Sequence, residues 1–171
     1  MTRKLTLLVF STFLTFHLFA CHRSTVPSDS TSAARTTSIR DEDGDGESQL
    51  VKDILYYTNQ FRAKHGLAPL KLESYCCMLA AKHSKNMATG RTGFGHEDME
   101  IRMDAASMKL GGVKSAAENV AYGTLDAKGV VDGWIKSPGH RKNMLGDYNL
   151  IGIGTADKGK ITFFTQFFVK K

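Results

Sequence analysis

Cysteine is scarce in this chain of 171 residues: there are three, Cys21, Cys76 and Cys77, and the last two are adjacent. Neighbours on a helix point about 100° apart and cannot bridge without breaking it, so no disulfide framework holds the protein together. Stability must come from an apolar core, in which Cys76 and Cys77 read as small buried hydrophobes rather than redox or metal groups. Several catalytic signatures are missing too. His96-Glu97 is followed three residues after the glutamate by Glu100 rather than histidine, so the zincin HExxH pattern is absent. There is no GxSxG elbow and no carboxylate pair suited to glycoside hydrolysis. The lysines lie mostly singly, at Lys52, Lys71, Lys109, Lys128 and Lys158, without interleaved aromatics, which argues against a nucleic-acid partner.

Charge and apolar runs divide the chain. Five of the 23 bases and six of the 17 acids precede residue 49, which leaves 18 bases against 11 acids in the remainder. Residues 1–20 carry two bases and then an apolar run from Leu5 to Ala20, the pattern of a secretory signal. Leu18-Phe19-Ala20-Cys21 resembles the bacterial lipobox, with Phe19 larger than the usual residue, and makes Cys21 the expected site of lipidation. Residues 21–48 are rich in Ser and Thr, then acidic, with few large apolar side chains, and are expected to form a disordered tether. DEDGDGE lacks the distal glutamate of a twelve-residue calcium loop and reads as a solvated charge run. Residues 49–171 are long enough for one domain.

In that domain, Leu50, Val51, Ile54, Leu55, Thr58 and Phe61 recur at three and four and predict a helix from Gln49 to His65, ended by Gly66 and Pro69. A second helix is expected from about Leu72 to Thr89, with His83 on its inward stripe as a satisfied core histidine. A Gly-rich loop holding His96 leads into a third helix at about Asp98. The stretch from Ala117 reads as loop, helix, break and short helix. Thr124 is the expected cap of the first of these helices, with Leu125, Val130, Val131 and Trp134 inward; Ser137-Pro138 starts the second. LIGIGTA and ITFFTQFFV about DKGK predict a terminal hairpin and an antiparallel central sheet. Gln166, the strongly polar residue of the last strand, either faces solvent or closes a polar pocket.

Glu118 lies among Ala116, Ala117, Val120 and Ala121, and a buried carboxylate needs a charged or donor partner. An imidazolium or a metal would serve, and so would backbone N–H groups. His96, on a flexible loop, and His140, in the first turn of the short helix, are the expected companions in one cleft.

Asn59, Arg62, Gly66, Leu67 and Leu70, then Ala81, His83, Ser84 and Met87, then Gly95-His96, Ala117-Glu118-Asn119, the run from Trp134 to Asn143 and Thr165-Gln166 occur in an order that resembles the CAP superfamily: the cysteine-rich secretory, antigen-five and pathogenesis-related proteins, in their bacterial branch. The resemblance implies an α+β fold, an α-β-α sandwich with a central antiparallel sheet, and a cleft of two histidines and two acids. His96 and Glu118 match two of these. Ser137 stands where the second acid is expected and Phe163 where the second histidine is, so His140 is the expected substitute. The binding cleft is then His96, Glu118, His140, Ser137 and Gln166. The family is mostly described as binding sterols, fatty acids or partner proteins. The expectation is an exported, lipid-anchored monomer at the cell surface that binds a small hydrophobic ligand or a surface protein, with no reaction assigned. The rival is a zinc-dependent peptide or ester hydrolase in which His96, His140 and Glu118 hold the metal.

Overall fold

The computed structural model describes residues 47–171. The signal, Cys21 and all but the last two residues of the expected tether lie outside the described residues. Five helices and four strands follow in the order α1 (Gln49–Ala63), β1 (Lys71–Leu72), α2 (Ser74–Thr89), α3 (Met99–Leu110), β2 (Ser115–Gly123), α4 (Ala127–Lys136), α5 (Pro138–Met144), β3 (Leu150–Lys158) and β4 (Ile161–Lys170). The strands form one sheet in the order β1-β3-β4-β2. β3 pairs antiparallel with β4, as the hairpin predicts, and β4 pairs antiparallel with β2. The two-residue β1 runs parallel to β3, so the sheet is mixed.

Three boundaries differ from expectation. Leu72 belongs to β1, and α2 starts after Glu73, whose carboxylate accepts from the Cys76 N–H at 2.7 Å as an N-cap. Asp126, not Thr124, caps α4 by accepting from the Gly129 N–H at 2.7 Å, which leaves Leu125 outside the helix and exposed. The segment from Ala117 is not loop: it lies within β2, an edge strand. Its three alanines and Glu-Asn pair have weak strand propensity, and the strand is selected by its partner β4 instead.

Each face of the sheet carries a core. On one, Val51, Ile54, Val130, Val131, Trp134 and Met144 from α1, α4 and α5 pack on Ile151, Ile153, Phe164 and Phe168. On the other, Cys76, Leu79 and Ala80 of α2 and Ala106 of α3 pack on Phe167 and Val169. α2 lies unusually close to β3 because Gly152 and Gly154 face it. A Cβ on Gly152 would come within 2.2 Å of the Cys76 backbone, and one on Gly154 within 2.0 Å of the Ala81 nitrogen. Both cysteines are free and buried, and burial pushes both thiols up, Cys77 to about 12. They act as hydrophobes.

Arg62, buried on α1, pins the segment after α5. Its Nη1 donates to the carbonyls of Met144 (2.8 Å) and Gly146 (2.9 Å), and its Nε to that of Ala68 (3.0 Å). That fixes the exit of α5, and therefore the helix that carries His140.

Candidate functional site

Side chains alternate along a strand, so neighbouring residues of β2 serve opposite faces. Glu118 stands opposite Phe167 and points to the α2–α3 side; Asn119 stands opposite Gln166 and points to the other. Glu118 is buried, its side chain 1% exposed. Its charge is met chiefly by a residue the sequence reasoning missed. Arg102 of α3 donates from Nε to Oε2 at 2.8 Å and from Nη2 to Oε1 at 2.9 Å, a two-pronged pair that matches guanidinium to carboxylate. A signal for it existed. Arg102 and Ala106 share the inward stripe of α3, four residues apart, and an arginine there is matched only by an acid on the sheet below.

His96 donates from Nδ1 to Glu118 Oε1 at 2.9 Å, since the carboxylate can only accept. In the neutral ring this leaves Nε2 as the bare acceptor, on a side chain that is 51% exposed. The loop is held on both sides of it. The Gly95 carbonyl accepts from His83 Nε2 at 2.8 Å, and the Glu97 carbonyl accepts from Arg102 Nη1 at 2.8 Å. Gly95 has φ 152°, in the region glycine favours, and Asp98 adopts a left-handed φ of 61° where the loop enters α3. His83 is the core histidine bonded to backbone that its stripe predicts, and its Nε2 also lies 3.5 Å from Glu118 Oε1. Burial holds His83 below the ordinary imidazole range. Arg102 and His96 add to that effect, while Glu118 and the Gly95 carbonyl oppose it.

His140, half-buried, stands on α5 within electrostatic reach of His96. Burial lowers its pKa, and the nearby His96 lowers it further, so the two imidazoles share one electrostatic neighbourhood. α5 is tied to the edge strand by Asn143, whose Nδ2 donates to the Glu118 carbonyl (3.1 Å) and to Asn119 Oδ1 (3.0 Å). Asn119 Nδ2 in turn donates to the His140 carbonyl at 3.2 Å. These bonds also cap an edge that would otherwise be open to pairing.

One expected member of the cleft, Gln166, lies on the other face of the sheet. It is fully buried there, where its Oε1 accepts from Asn119 and its Nε2 donates to Thr58 Oγ1 at 2.8 Å. It closes a sealed amide network. Ser137 N-caps α5 without a side-chain capping bond. The expected zinc set does not fit this geometry either. Both Glu118 oxygens are engaged by Arg102, whose positive charge opposes a cation beside it. Among the described residues no group of three His, Cys, Asp or Glu side chains is placed to hold a metal ion.

The model of the CAP, or cysteine-rich secretory protein, family matches residues 55–169, which take in both faces of the sheet and the whole cluster. The chain belongs to the CAP family. It is 36% identical over 123 residues to the uncharacterized membrane protein YlbC of Bacillus subtilis, covering 70% of this chain and 34% of that protein. It is 34% identical over 123 residues to the uncharacterized protein YkwD of the same organism, covering 70% and 47%. The CAP chain thus spans between a third and a half of the length of these curated relatives. Among solved structures, an extracellular SCP-domain protein of Bacillus anthracis superposes with TM-score 0.61 at 31% identity, covering 71% of this chain and 40% of that one. An outer surface protein of Borrelia burgdorferi shares the fold, with TM-score 0.60 at 22% identity over 70% and 91% of the two chains.

Proposed function

We propose that this CAP protein is exported, held at the envelope through a lipidated Cys21, and binds a ligand or partner through the His96 face without acting as a zinc hydrolase. The observation that carries the reading is the clamp of Arg102 on Glu118. A carboxylate bound at both oxygens by guanidinium serves as a fixed anchor for His96 Nδ1–H rather than as a base or metal ligand. The half-exposed imidazole then presents Nε2 as a directed acceptor beside His140, suited to an N–H or O–H group on the surface that docks there. The N-terminal apolar run and the Cys21 context support export and anchoring. The membrane protein of Bacillus subtilis and the extracellular protein of Bacillus anthracis to which the chain is similar point the same way.

The test uses the full chain expressed in a Gram-positive host. Cys21→Ala should move the protein from the membrane fraction to the soluble one. Purified wild-type protein should be retained on isolated cell envelopes, and His96→Ala should lose most of that retention with the fold intact. Zinc-dependent turnover of peptide or ester substrates, abolished by His96→Ala, would contradict the binding reading. Membrane retention of Cys21→Ala would contradict the anchor.

A further inference from the structure

Four of the eight large apolar side chains exposed among the described residues stand at one end of the sheet: Phe94, Tyr122, Leu125 and Ile161. Tyr122 lies opposite Phe163 in the β2–β4 ladder, and the two rings stack with centroids 5.6 Å apart. Phe94 meets Tyr122 edge-on at 4.8 Å. Ile161 is two residues before Phe163 and shares its face of β4. Thr124 Oγ1 donates to the Lys160 carbonyl at 3.1 Å, which ties the exit of β2, and Leu125 after it, to the hairpin turn. Although the rings cover one another, Phe94 is 53% and Tyr122 54% exposed. Contiguous apolar surface of this kind marks a contact site.

The charges about the strip nearly cancel: Arg91, Lys158 and Lys160 stand against Glu97, Asp98, Asp126 and Asp157, all exposed. A polyanion or an anionic headgroup gains no pull from that balance, so what covers the strip is recognised by apolar burial. The chain's entry into the domain says which surface this is. Glu47 and Ser48 share a cavity with Ile153, Gly154 and Thr155 of β3, and Thr155 adjoins Ala156, the partner of Phe163. The segment from Cys21 therefore enters on the half of the sheet that ends in the strip. Residues 22–46 lie between them, a length that reaches at most about 85 Å. A bilayer holding Cys21 is thus kept within reach of the strip, at an effective concentration on the order of millimolar.

We propose that Phe94, Tyr122 and Phe163, with Ile161 and Leu125, form a membrane-contact surface that rests in the headgroup boundary of that bilayer and fixes the direction in which the domain faces. Aromatic rings with one wet edge are favoured at that depth. Phe94 stands two residues before His96, so the docked strip brings the imidazole face to the membrane boundary. The choice of a bilayer rests on the reading of Cys21 as the anchor. Partly exposed side chains bury too little to hold the domain without the lipid chain, so Cys21→Ala still leaves the membrane fraction on washing.

The chain has one tryptophan, Trp134, which is buried, so an added one reports its own place. The full chain carrying Cys21→Ala and Phe94→Trp is mixed with vesicles of brominated phosphatidylcholine. Its emission should be quenched, to the same extent when phosphatidylglycerol is included or salt is raised. The same chain with Tyr56→Trp in place of Phe94→Trp, a change at an exposed ring of α1, should keep its emission. Adding Tyr122→Ser and Ile161→Ser to the Phe94→Trp chain should raise the lipid needed for half-quenching about tenfold while the urea midpoint is kept. Absent quenching in the Phe94→Trp chain, equal quenching of the two reporters, a need for phosphatidylglycerol, or quenching that survives the serine changes would overturn the contact. So would a lipid-free emission shift that grows with protein concentration, which would make the strip a contact between copies. Failure of the anchor shows separately, in the cell fractions of Cys21→Ala, where quenching plays no part.

Discussion

Glu118 and Asn119 are adjacent on β2, yet they build two different kinds of polar structure. On the α2–α3 side, Glu118 gathers Arg102, His83 and His96 into a charged cluster that ends in a half-exposed ring. On the α1–α4 side, Asn119, Gln166 and Thr58 form a neutral network with all three residues fully buried. The first costs desolvation of charge and leaves a reactive atom facing water. The second is satisfied by hydrogen bonds within the fold and, through Asn119, also holds the His140 carbonyl and Asn143 of α5. A strand that feeds both can therefore separate a solvent-facing imidazole from a buried neutral network within two residues.

The largest effect that would sharpen this contrast comes from Arg102→Met. It strands a buried carboxylate and should lower stability by about 3–5 kcal/mol, read from urea unfolding midpoints. Adding Glu118→Gln should recover much of the loss, and purely additive effects would break the idea that the two form one unit. Gln166→Leu should cost less, about 1–3 kcal/mol from the unpaired Thr58 hydroxyl and weakened Asn119. It should also leave the His96 imidazole resonances where they are, whereas Arg102→Met should move them. If both variants move them, the two faces are not independent. His96→Ala removes one charge-assisted bond from a half-exposed ring and should cost about 1 kcal/mol, while removing most of the envelope retention.

The smallest effect is the pH dependence. His83 and His140 are both lowered in the folded chain, so near pH 6.5 the unfolded chain takes up protons that the folded one refuses. Their contribution to stability is complete above the unfolded value and is lost as the pH falls below it towards the folded one. The urea midpoint should therefore drop between about pH 7.5 and about pH 5.5, and His140→Asn should flatten part of that slope. A midpoint that rises over the same interval would contradict both shifts.

Much of this was legible beforehand, for reasons that differ by element. α1 and α2 announce themselves by apolar spacing of three and four, and Ser137-Pro138 marks the start of α5 because proline at a first turn loses no hydrogen bond. The β3–β4 hairpin follows from two apolar runs about Gly159. β2 was hidden because Ala-Ala-Glu-Asn does not favour a strand by itself, and β1 is two residues that follow β3. At the site, the need of Glu118 for a counter-charge was evident, as was the nearness of His96. The identity of the partner was not, since Arg102 approaches from a helix whose apolar pattern is weak. Gln166 falls outside the cleft because its face is set by register with β2, which a single strand does not reveal.

The most direct measurement is the ¹⁵N histidine spectrum of the full chain, recorded before and after one equivalent of zinc. The expected spectrum shows His96 as the Nδ1–H tautomer with a bare Nε2, unmoved by the metal, because Arg102 already neutralises Glu118. Zinc that shifts His96 and His140 together, with the shift lost in His96→Ala and His140→Ala, would contradict that organisation and restore a metal to the cleft.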